Sequence, residues 1–128
     1  MAWILDQIPA FRPSWESHLQ WWAAEEPGLG NNVAAFSRYV VELVKNNQIE
    51  ELKSALIIVE RLLTEGDDDV RTAVATNCLE NIVNRASGGG IALEGFVQNL
   101  GSQSRAYCIE WDRFTGAQTP GLTPSGEE

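Results

Sequence analysis

The fold is decided by residues 49–75, which read IEELKSALIIVERLLTEGDDDVRTAVA. The apolar residues of its first part recur three and four positions apart, as on one face of an α-helix, and form a broad stripe: Leu52, Leu56, Ile57, Ile58, Val59, Leu62 and Leu63. A helix that is apolar around so much of its circumference is normally packed on two sides. We therefore expect residues 49–65 to form a central helix and the most buried element of the protein.

Gly66 and the three aspartates after it are predicted to end this helix and to begin the next. A glycine here commonly ends a helix in the left-handed conformation. Asp67, Asp68 and Asp69 place oxygens and negative charge where a helix amino terminus favours them. A calcium-binding EF-hand loop would need alternating ligands, a central glycine and a final glutamate, and residues 70–72 do not supply that pattern. The aspartates are interpreted as a helix cap, and no metal site is expected.

Helical periodicity continues on both sides of this segment. Further helices are predicted over residues 14–26, 31–46, 67–86, 92–100 and 102–114. Ser14 is expected to cap the first of them, and Asn31 or Asn32 the second. Residues 87–90, SGGG, are expected to form a break between helices. No β-branched run alternates over more than a few positions, so no sheet is predicted.

The composition supports one folded domain. The chain has 128 residues, of which 44% are hydrophobic, with five tryptophans, and this is enough for a single core at such a length. Short connections between helices favour antiparallel neighbours. We predict an all-α fold: a single compact domain of about five to seven antiparallel helices over residues 1–115, with residues 116–128 as a mobile or draped tail.

The amino terminus and the cysteines indicate the cellular compartment. The segment MAWILDQIPA has no basic region and is interrupted by Asp6 and Pro9, unlike a signal peptide. No apolar stretch approaches the ~20 residues of a membrane span. Cys78 and Cys108 have neither C-x-x-C spacing nor enough companions for a zinc site, so they are expected to be free, small hydrophobic residues. We expect a cytoplasmic protein with no membrane contact and no cofactor.

The charge of the chain is strongly acidic. It carries 18 acidic residues against 9 basic ones, a net charge of −9 at pH 7. Such a field repels nucleic acid and attracts basic proteins, although an acidic surface that only keeps the protein soluble is an equal alternative. The basic residues are scattered along the chain, so no nucleic-acid groove is predicted.

The sequence does not predict an enzyme. His18, the only histidine, has no sequence-visible nucleophile or orienting group, and it is expected to be packed beside the core stripe of its helix. The adjacent pairs Glu25–Glu26 and Glu50–Glu51 project about 100° apart on a helix, which is unsuitable for a two-carboxylate site. Solvated surface charge is the expected role of these acids unless they bind a partner.

Trp21 is open to two interpretations. Trp15, Leu19 and Trp22 are spaced to form the core stripe of their helix, and Trp21 points about 100° away from Trp22. Either a second neighbouring helix buries Trp21, or its indole is an exposed anchor for a partner, since tryptophan is enriched among interface hot spots. Burial is the favoured interpretation because small helical domains bury most of their tryptophans.

Residues 63–75, LTEGDDDVRTAVA, resemble a HEAT-type repeat. In such repeats one helix ends, acidic residues cap the next, and a Val-Arg pair leads into an Ala-rich packing helix. No period of about 40 residues recurs along the chain, so the resemblance implies a HEAT-like arrangement and not a solenoid.

A second resemblance spans nearly the whole chain. Four segments together resemble a family of short, all-helical bacterial proteins: residues 11–15, 25–28, 62–81 and 107–116. Members of such a family are commonly taken to be immunity proteins, which neutralise a toxin encoded by a neighbouring gene. The resemblance implies a protein that binds and neutralises a cognate toxin, for example a basic nuclease-type effector, by stoichiometric protein–protein interaction. A non-inhibitory HEAT-like adaptor or effector chaperone is the alternative.

The partner-binding surface is expected to use exposed acids near two helix junctions together with one apolar anchor. A basic partner would meet negative charge at both junctions. The candidate residues are Trp21, Glu25, Glu50, Glu51, Asp67, Asp68 and Asp69.

Overall fold

The structure, a computed structural model, describes residues 2–22, 28–83 and 94–116, and all regular structure within these ranges is helical. Seven α-helices are observed there: α1 (Ala2–Gln7), α2 (Arg12–Trp22), α3 (Gly28–Lys45), α4 (Ile49–Glu65), α5 (Asp68–Val74), α6 (Glu94–Gln98) and α7 (Ser102–Thr115). The predicted all-α single domain is confirmed. No described helix is long and apolar enough to cross a membrane. The predicted break at 87–90 and the tail from residue 117 onward lie outside the described residues.

α3 is the most buried helix of the described chain. It packs against α2, α4 and α5, and eight of its residues are buried, against five in α4. The expectation that residues 49–65 would be the most buried element was therefore wrong. The reason is that α3 buries Ala35 and Ser37 as well as large residues such as Phe36 and Val40, so its neighbours approach it on more than one face.

α4 has the predicted bounds but a narrower buried stripe. Leu52, Leu56 and Val59 are buried, whereas Ile57 lies on the exposed side. α4 lies against α3, α5 and α7, so it joins the amino-terminal half of the core to the last helix.

The junction between α4 and α5 depends on a close approach at Gly66. Gly66 ends α4 as predicted, with φ −73° and ψ 162°, which is extended backbone and not the left-handed conformation common at helix ends. A Cβ there would lie 2.5 Å from the carbonyl oxygen of Leu62 and 2.7 Å from Cγ1 of Val70, and this crowding requires glycine. Asp67 caps α5 as predicted, because its carboxylate accepts the Val70 N–H at 2.9 Å. Arg71 donates from Nε to the Gly66 carbonyl at 2.8 Å.

α2 begins earlier than predicted. It starts at Arg12, so Ser14 lies inside the helix and is not its cap. A 3₁₀ turn, Pro9–Phe11, precedes α2 and places the Phe11 ring in the core, with its centroid 5.2 Å from that of Phe36. Burial of this ring is a tertiary contact that local propensity does not reveal.

The predicted cap of α3 was also wrong. α3 begins at Gly28, so Asn31 and Asn32 both lie within it. Gly28 has φ +81°, a conformation that glycine adopts readily and other residues rarely adopt.

Glu60 of α4 caps the amino terminus of α7. Its carboxylate accepts the backbone N–H groups of Gln103 and Ser104 and the Ser104 hydroxyl, each at 2.9 Å. Burial alone raises the pKa of Glu60, but hydrogen bonds from Ser104, Gln103 and Ser102 outweigh it, and the pKa lies below its usual value. Gly101 leaves room for the carboxylate, because a Cβ there would collide with the Glu60 side chain.

Both cysteines are buried and free, as predicted. Cys78 belongs to a π turn, Ala75–Leu79, that continues α5, and Cys108 belongs to α7. Burial raises the pKa of each thiol to about 12. Thiols of such high pKa stay protonated at neutral pH, so both cysteines pack as small hydrophobic residues.

Candidate functional site

α2 turns a histidine, not a leucine, toward the core. His18 is 6% exposed and lies between the half-buried rings of Trp15 and Trp22, whereas Leu19 is 41% exposed. The predicted stripe of Trp15, Leu19 and Trp22 is therefore wrong at Leu19. The same orientation of α2 leaves Trp21 85% exposed. The favoured burial of Trp21 is thus wrong, and its indole stands on the surface.

Both ring nitrogens of His18 are hydrogen-bonded to α3. Nε2 lies 3.0 Å from Oδ1 of Asn32, and Nδ1 lies 3.4 Å from Nη2 of Arg38. A guanidinium only donates, so Nδ1 accepts, and the proton on Nε2 is donated to Asn32. The ring of His18 also packs beside Trp15, with centroids 5.3 Å apart. A neutral imidazole in this environment holds the Arg38 side chain in place.

Two surface cavities flank Trp21. The larger, of about 390 Å³, is lined by His18, Trp21, Trp22, Asn31 and Arg38. The second, of about 340 Å³, is lined by Ser14, Ser17, His18, Trp21, Ala35, Arg38, Tyr39 and Glu42. His18, Trp21 and Arg38 line both cavities, and the exposed indole therefore stands between two hollows of the same surface. We call the two cavities together the Trp21 groove.

Arg38 brings a positive charge to this groove in an acidic protein. Glu42 follows it by four residues, the spacing at which ion pairs form along a helix, yet the guanidinium is bonded to His18. The ion pairs found among the described residues join Lys53 to Glu50, Arg61 to Glu65, and Arg113 to Glu110. Within the described chain, then, no carboxylate pairs with Arg38.

Tyr39 contributes a hydroxyl that lacks a hydrogen bond. The residue is 8% exposed, its ring packs against Phe11 and Phe36, and no described residue bonds to its hydroxyl. Burial, with a smaller contribution from the Glu51 carboxylate, raises the pKa of Tyr39. Tyr39 therefore lines the smaller cavity as a residue, while its neutral hydroxyl is buried and unsatisfied.

The predicted acidic residues do not form one cluster. Glu50 and Glu51 lie in the first turn of α4, and Asp67, Asp68 and Asp69 follow its last turn, so the two sets stand at opposite ends of one helix. At ~1.5 Å per residue, the length of α4 separates them by about 24 Å. Glu25, the remaining predicted acid, lies outside the described residues.

The acids also differ in what they contact. Glu50 lies 3.8 Å from Lys53, and Asp67 is engaged in its cap. Asp68 and Asp69 are exposed in the first turn of α5. Of the predicted acids, Glu51, Asp68 and Asp69 are thus the exposed ones that make no hydrogen bond or ion pair among the described contacts.

The described residues hold no group of three or more His, Cys, Asp or Glu side chains that could bind a metal ion. Sequence reasoning identified Trp21 but missed Asn32, Arg38 and Tyr39 as its neighbours. The expectation that His18 would be packed was confirmed, and the spacing of Trp15, His18 and Trp22 along the helix is what indicated it. A buried imidazole needs polar partners, and Asn32 lies at the start of the next predicted helix and Arg38 about two turns into it.

The fold and this groove define an all-α single domain with an exposed tryptophan between two surface cavities. The chain belongs to the family described as Domain of unknown function (DUF7674), whose profile matches residues 1–116. The match includes α1 to α7 and the whole Trp21 groove. The comparisons with curated proteins and with solved structures found no match.

Proposed function

We propose that this protein is an immunity protein, a stoichiometric inhibitor that binds a cognate bacterial toxin in the cytoplasm. The observation that carries the proposal is Trp21, whose indole is 85% exposed between two cavities and beside Arg38. Tryptophan and arginine are the residue types most enriched among interface hot spots. The solvent-exposed indole of Trp21 beside the hydrogen-bonded guanidinium of Arg38 supports a role in protein binding.

The charge of the chain supports a basic partner. The net charge of −9 accelerates encounters with a positively charged protein, and toxins that cut nucleic acid carry such charge in order to bind their substrate. The exposed Asp68 and Asp69 are the acids best placed for this steering. Inhibition by occupying the toxin's active site, or the path to it, needs no reaction by the inhibitor and no cofactor.

A HEAT-like adaptor or effector chaperone is the second candidate function. The α4–α5 unit favours it, because the Asp67 cap and the Arg71 bond to Gly66 match the acidic cap and Val-Arg pair of a HEAT-type repeat. An adaptor would use the same groove but leave its partner active. The two functions therefore differ in the activity of the bound partner and not in the existence of a complex.

Co-expression with the product of the neighbouring toxin gene tests the proposal. Cells carrying the toxin should survive when the full chain is present, and the two proteins should co-purify in a fixed ratio. Trp21→Ala should reduce both survival and complex formation. Phe114→Ala is the matched control, because Phe114 is also an exposed aromatic residue, 74% exposed, but lines neither cavity. Absence of protection and of any complex would refute the immunity function, and a complex without protection would favour the adaptor.

A further inference from the structure

We propose that the Trp21 groove accepts an aspartate or glutamate side chain of the protein partner on Arg38, with a neighbouring apolar side chain packed on Trp21. This inference rests on the proposed binding role of the groove and adds the chemistry of its occupant. A partner that is basic overall would thus carry a local carboxylate–apolar pair at the point of contact.

Arg38 places a positive charge in the groove. Its guanidinium donates to the neutral imidazole of His18 at 3.4 Å, and no described carboxylate pairs with it, although Glu42 stands one turn away on α3. The remaining N–H donors are arranged as a planar fork that matches the two oxygens of a carboxylate. No described carboxylate, Glu42 included, is therefore ion-paired with this fork.

The guanidinium of Arg38 is held in position before the partner arrives. His18 is 6% exposed and is itself fixed by Asn32 at 3.0 Å, so the imidazole that accepts from Arg38 cannot turn freely. Side chains ordered in advance lose less conformational entropy on binding. The chain from Asn32 through His18 to Arg38 is thus a positioning device for a binding group.

Apolar rings form a wall of the groove beside the guanidinium. The indoles of Trp21 and Trp22 line the larger cavity together with Arg38. An apolar side chain that packs on Trp21 removes water from the guanidinium, and an ion pair with less water is stronger than one on open surface. The cavities, of about 390 and 340 Å³, are in the size range of small ligand sites and have room for a pair of side chains.

The same residues disfavour nucleic acid as the occupant. Of the described residues that line the two cavities, Arg38 is the only Lys or Arg. Glu42, which lines the smaller cavity, is acidic and would repel a phosphate. A phosphate backbone is bound by several cations at once, and the net charge of −9 repels it. A single carboxylate needs only one guanidinium.

The test uses two capped dipeptides, acetyl-Leu-Glu-amide and its neutral isostere acetyl-Leu-Gln-amide, titrated into the ¹⁵N-labelled full chain. The indole N–H of Trp21 and the Nε–H of Arg38 report binding by nuclear magnetic resonance. At ~0.15 M salt, which screens the repulsion by distant acids, the Glu peptide should bind roughly tenfold more tightly than the Gln peptide. Arg38→Gln should abolish the difference in affinity between the two peptides. Trp21→Ala should weaken the binding of both peptides and preserve the preference for the Glu peptide.

Two variants control for loss of structure and for charge. Arg38→Lys keeps the charge without the fork and should retain only part of the preference for the Glu peptide. Arg12→Gln removes an exposed arginine of α2 that lines neither cavity, so it should leave the ratio unchanged. Thermal unfolding of each variant shows that it is folded before it is titrated.

Three results would overturn the inference: equal binding of the two peptides, no binding of either, or tighter binding of inorganic phosphate or of a short oligonucleotide than of the Glu peptide. The titration needs no toxin, so its outcome is separate from the survival assay. Preference for the Glu peptide without protection of cells would support carboxylate binding by the groove and refute the immunity function. Protection of cells without that preference would support the immunity function and refute carboxylate binding by the groove.

Discussion

Two tyrosines differ in how their hydroxyl groups are satisfied. Tyr107 of α7 donates to the Glu80 carboxylate, and burial together with this hydrogen bond raises its pKa. Tyr39 of α3 is buried with no hydrogen bond from a described residue. A buried polar group without a partner destabilises a fold, whereas a bonded one contributes modestly to it.

Phenylalanine substitutions at these two positions should therefore have opposite effects. Tyr39→Phe should leave the free energy of unfolding unchanged or raise it by up to about 2 kcal/mol, because it removes an unsatisfied hydroxyl. Tyr107→Phe should lower it by about 1 kcal/mol, because Glu80 loses a donor. Urea denaturation at neutral pH measures both. A clear loss of stability in Tyr39→Phe would mean that its hydroxyl is bonded in solution.

The inward face of α2 shows which residue-level features the sequence can and cannot predict. Leu19 is more apolar than His18, so helical periodicity predicts that the leucine faces the core. The imidazole is stable inside only because Asn32 and Arg38, 14 and 20 residues further on, bond to its two nitrogens. Contacts of that kind do not appear in local patterns, and the exposure of Trp21 follows from them.

At the scale of elements, the turn between α4 and α5 is the most demanding backbone position among those described. Gly66→Ala should destabilise the protein by about 1–3 kcal/mol, since the added Cβ would overlap the Leu62 carbonyl and the Val70 side chain. Gly30→Ala is the matched control: its Cβ would meet only the end of the Asn77 side chain, at 3.2 Å, and alanine favours a helix. Equal effects of the two substitutions on the denaturation midpoint would contradict the crowding at Gly66.

The Glu60 cap ties α4 to α7 and should make stability depend on pH. Its pKa in the folded protein is lowered, so its contribution is present above the pKa of the unfolded chain and is lost as the pH falls through the folded value. Glu60→Ala should cost about 1–2 kcal/mol at neutral pH.

Denaturation series at neutral pH and at about pH 3, below the usual glutamate pKa, separate this effect from general acid unfolding. The difference between wild type and Glu60→Ala should shrink in acid. Glu65→Ala, which removes only the exposed pair with Arg61, should cost less than about 0.5 kcal/mol at either pH. A Glu60→Ala deficit that stays constant with pH would argue against a charged cap.

The elements themselves were predictable to different degrees. The bounds of α4 and the Asp67 cap follow from patterns within a few residues, and both predictions were confirmed. The π turn that continues α5 was not predicted, and its backbone carbonyls accept hydrogen bonds from one distant and one neighbouring side chain. The Ser37 hydroxyl donates to the carbonyl of Cys78 at 3.4 Å, and the Asn81 amide donates to that of Asn77 at 2.9 Å.

At the scale of the whole molecule, the apolar anchor and the exposed acids belong to different elements. The Trp21 groove is lined by α2 and α3, whereas Asp68 and Asp69 lie in the first turn of α5. Electrostatic attraction acts over roughly 10 Å at physiological salt and governs the rate of encounter, while packing governs the rate of release. The two features should therefore control different steps of binding to the proposed toxin.

Reversing both exposed acids, Asp68→Lys with Asp69→Lys, should slow association with the toxin up to about tenfold at low salt and reduce its salt dependence. The dissociation rate should hardly change, because neither side chain is required for packing. Asp67 is kept, since its carboxylate caps α5. Trp21→Ala should instead speed dissociation by about 30-fold, the effect of losing a hot spot of roughly 2 kcal/mol.

Surface plasmon resonance at about 0.05 and 0.5 M salt, a range over which screening changes severalfold, measures both rates. A control with the same net charge reverses Asp6 and Glu110, exposed acids of α1 and α7. If this control slows association as much as the reversal of Asp68 and Asp69, net charge alone governs the association rate and the position of these two acids does not matter. If Trp21→Ala changes only the association rate, the indole is not the anchor, because an anchor acts after contact has been made.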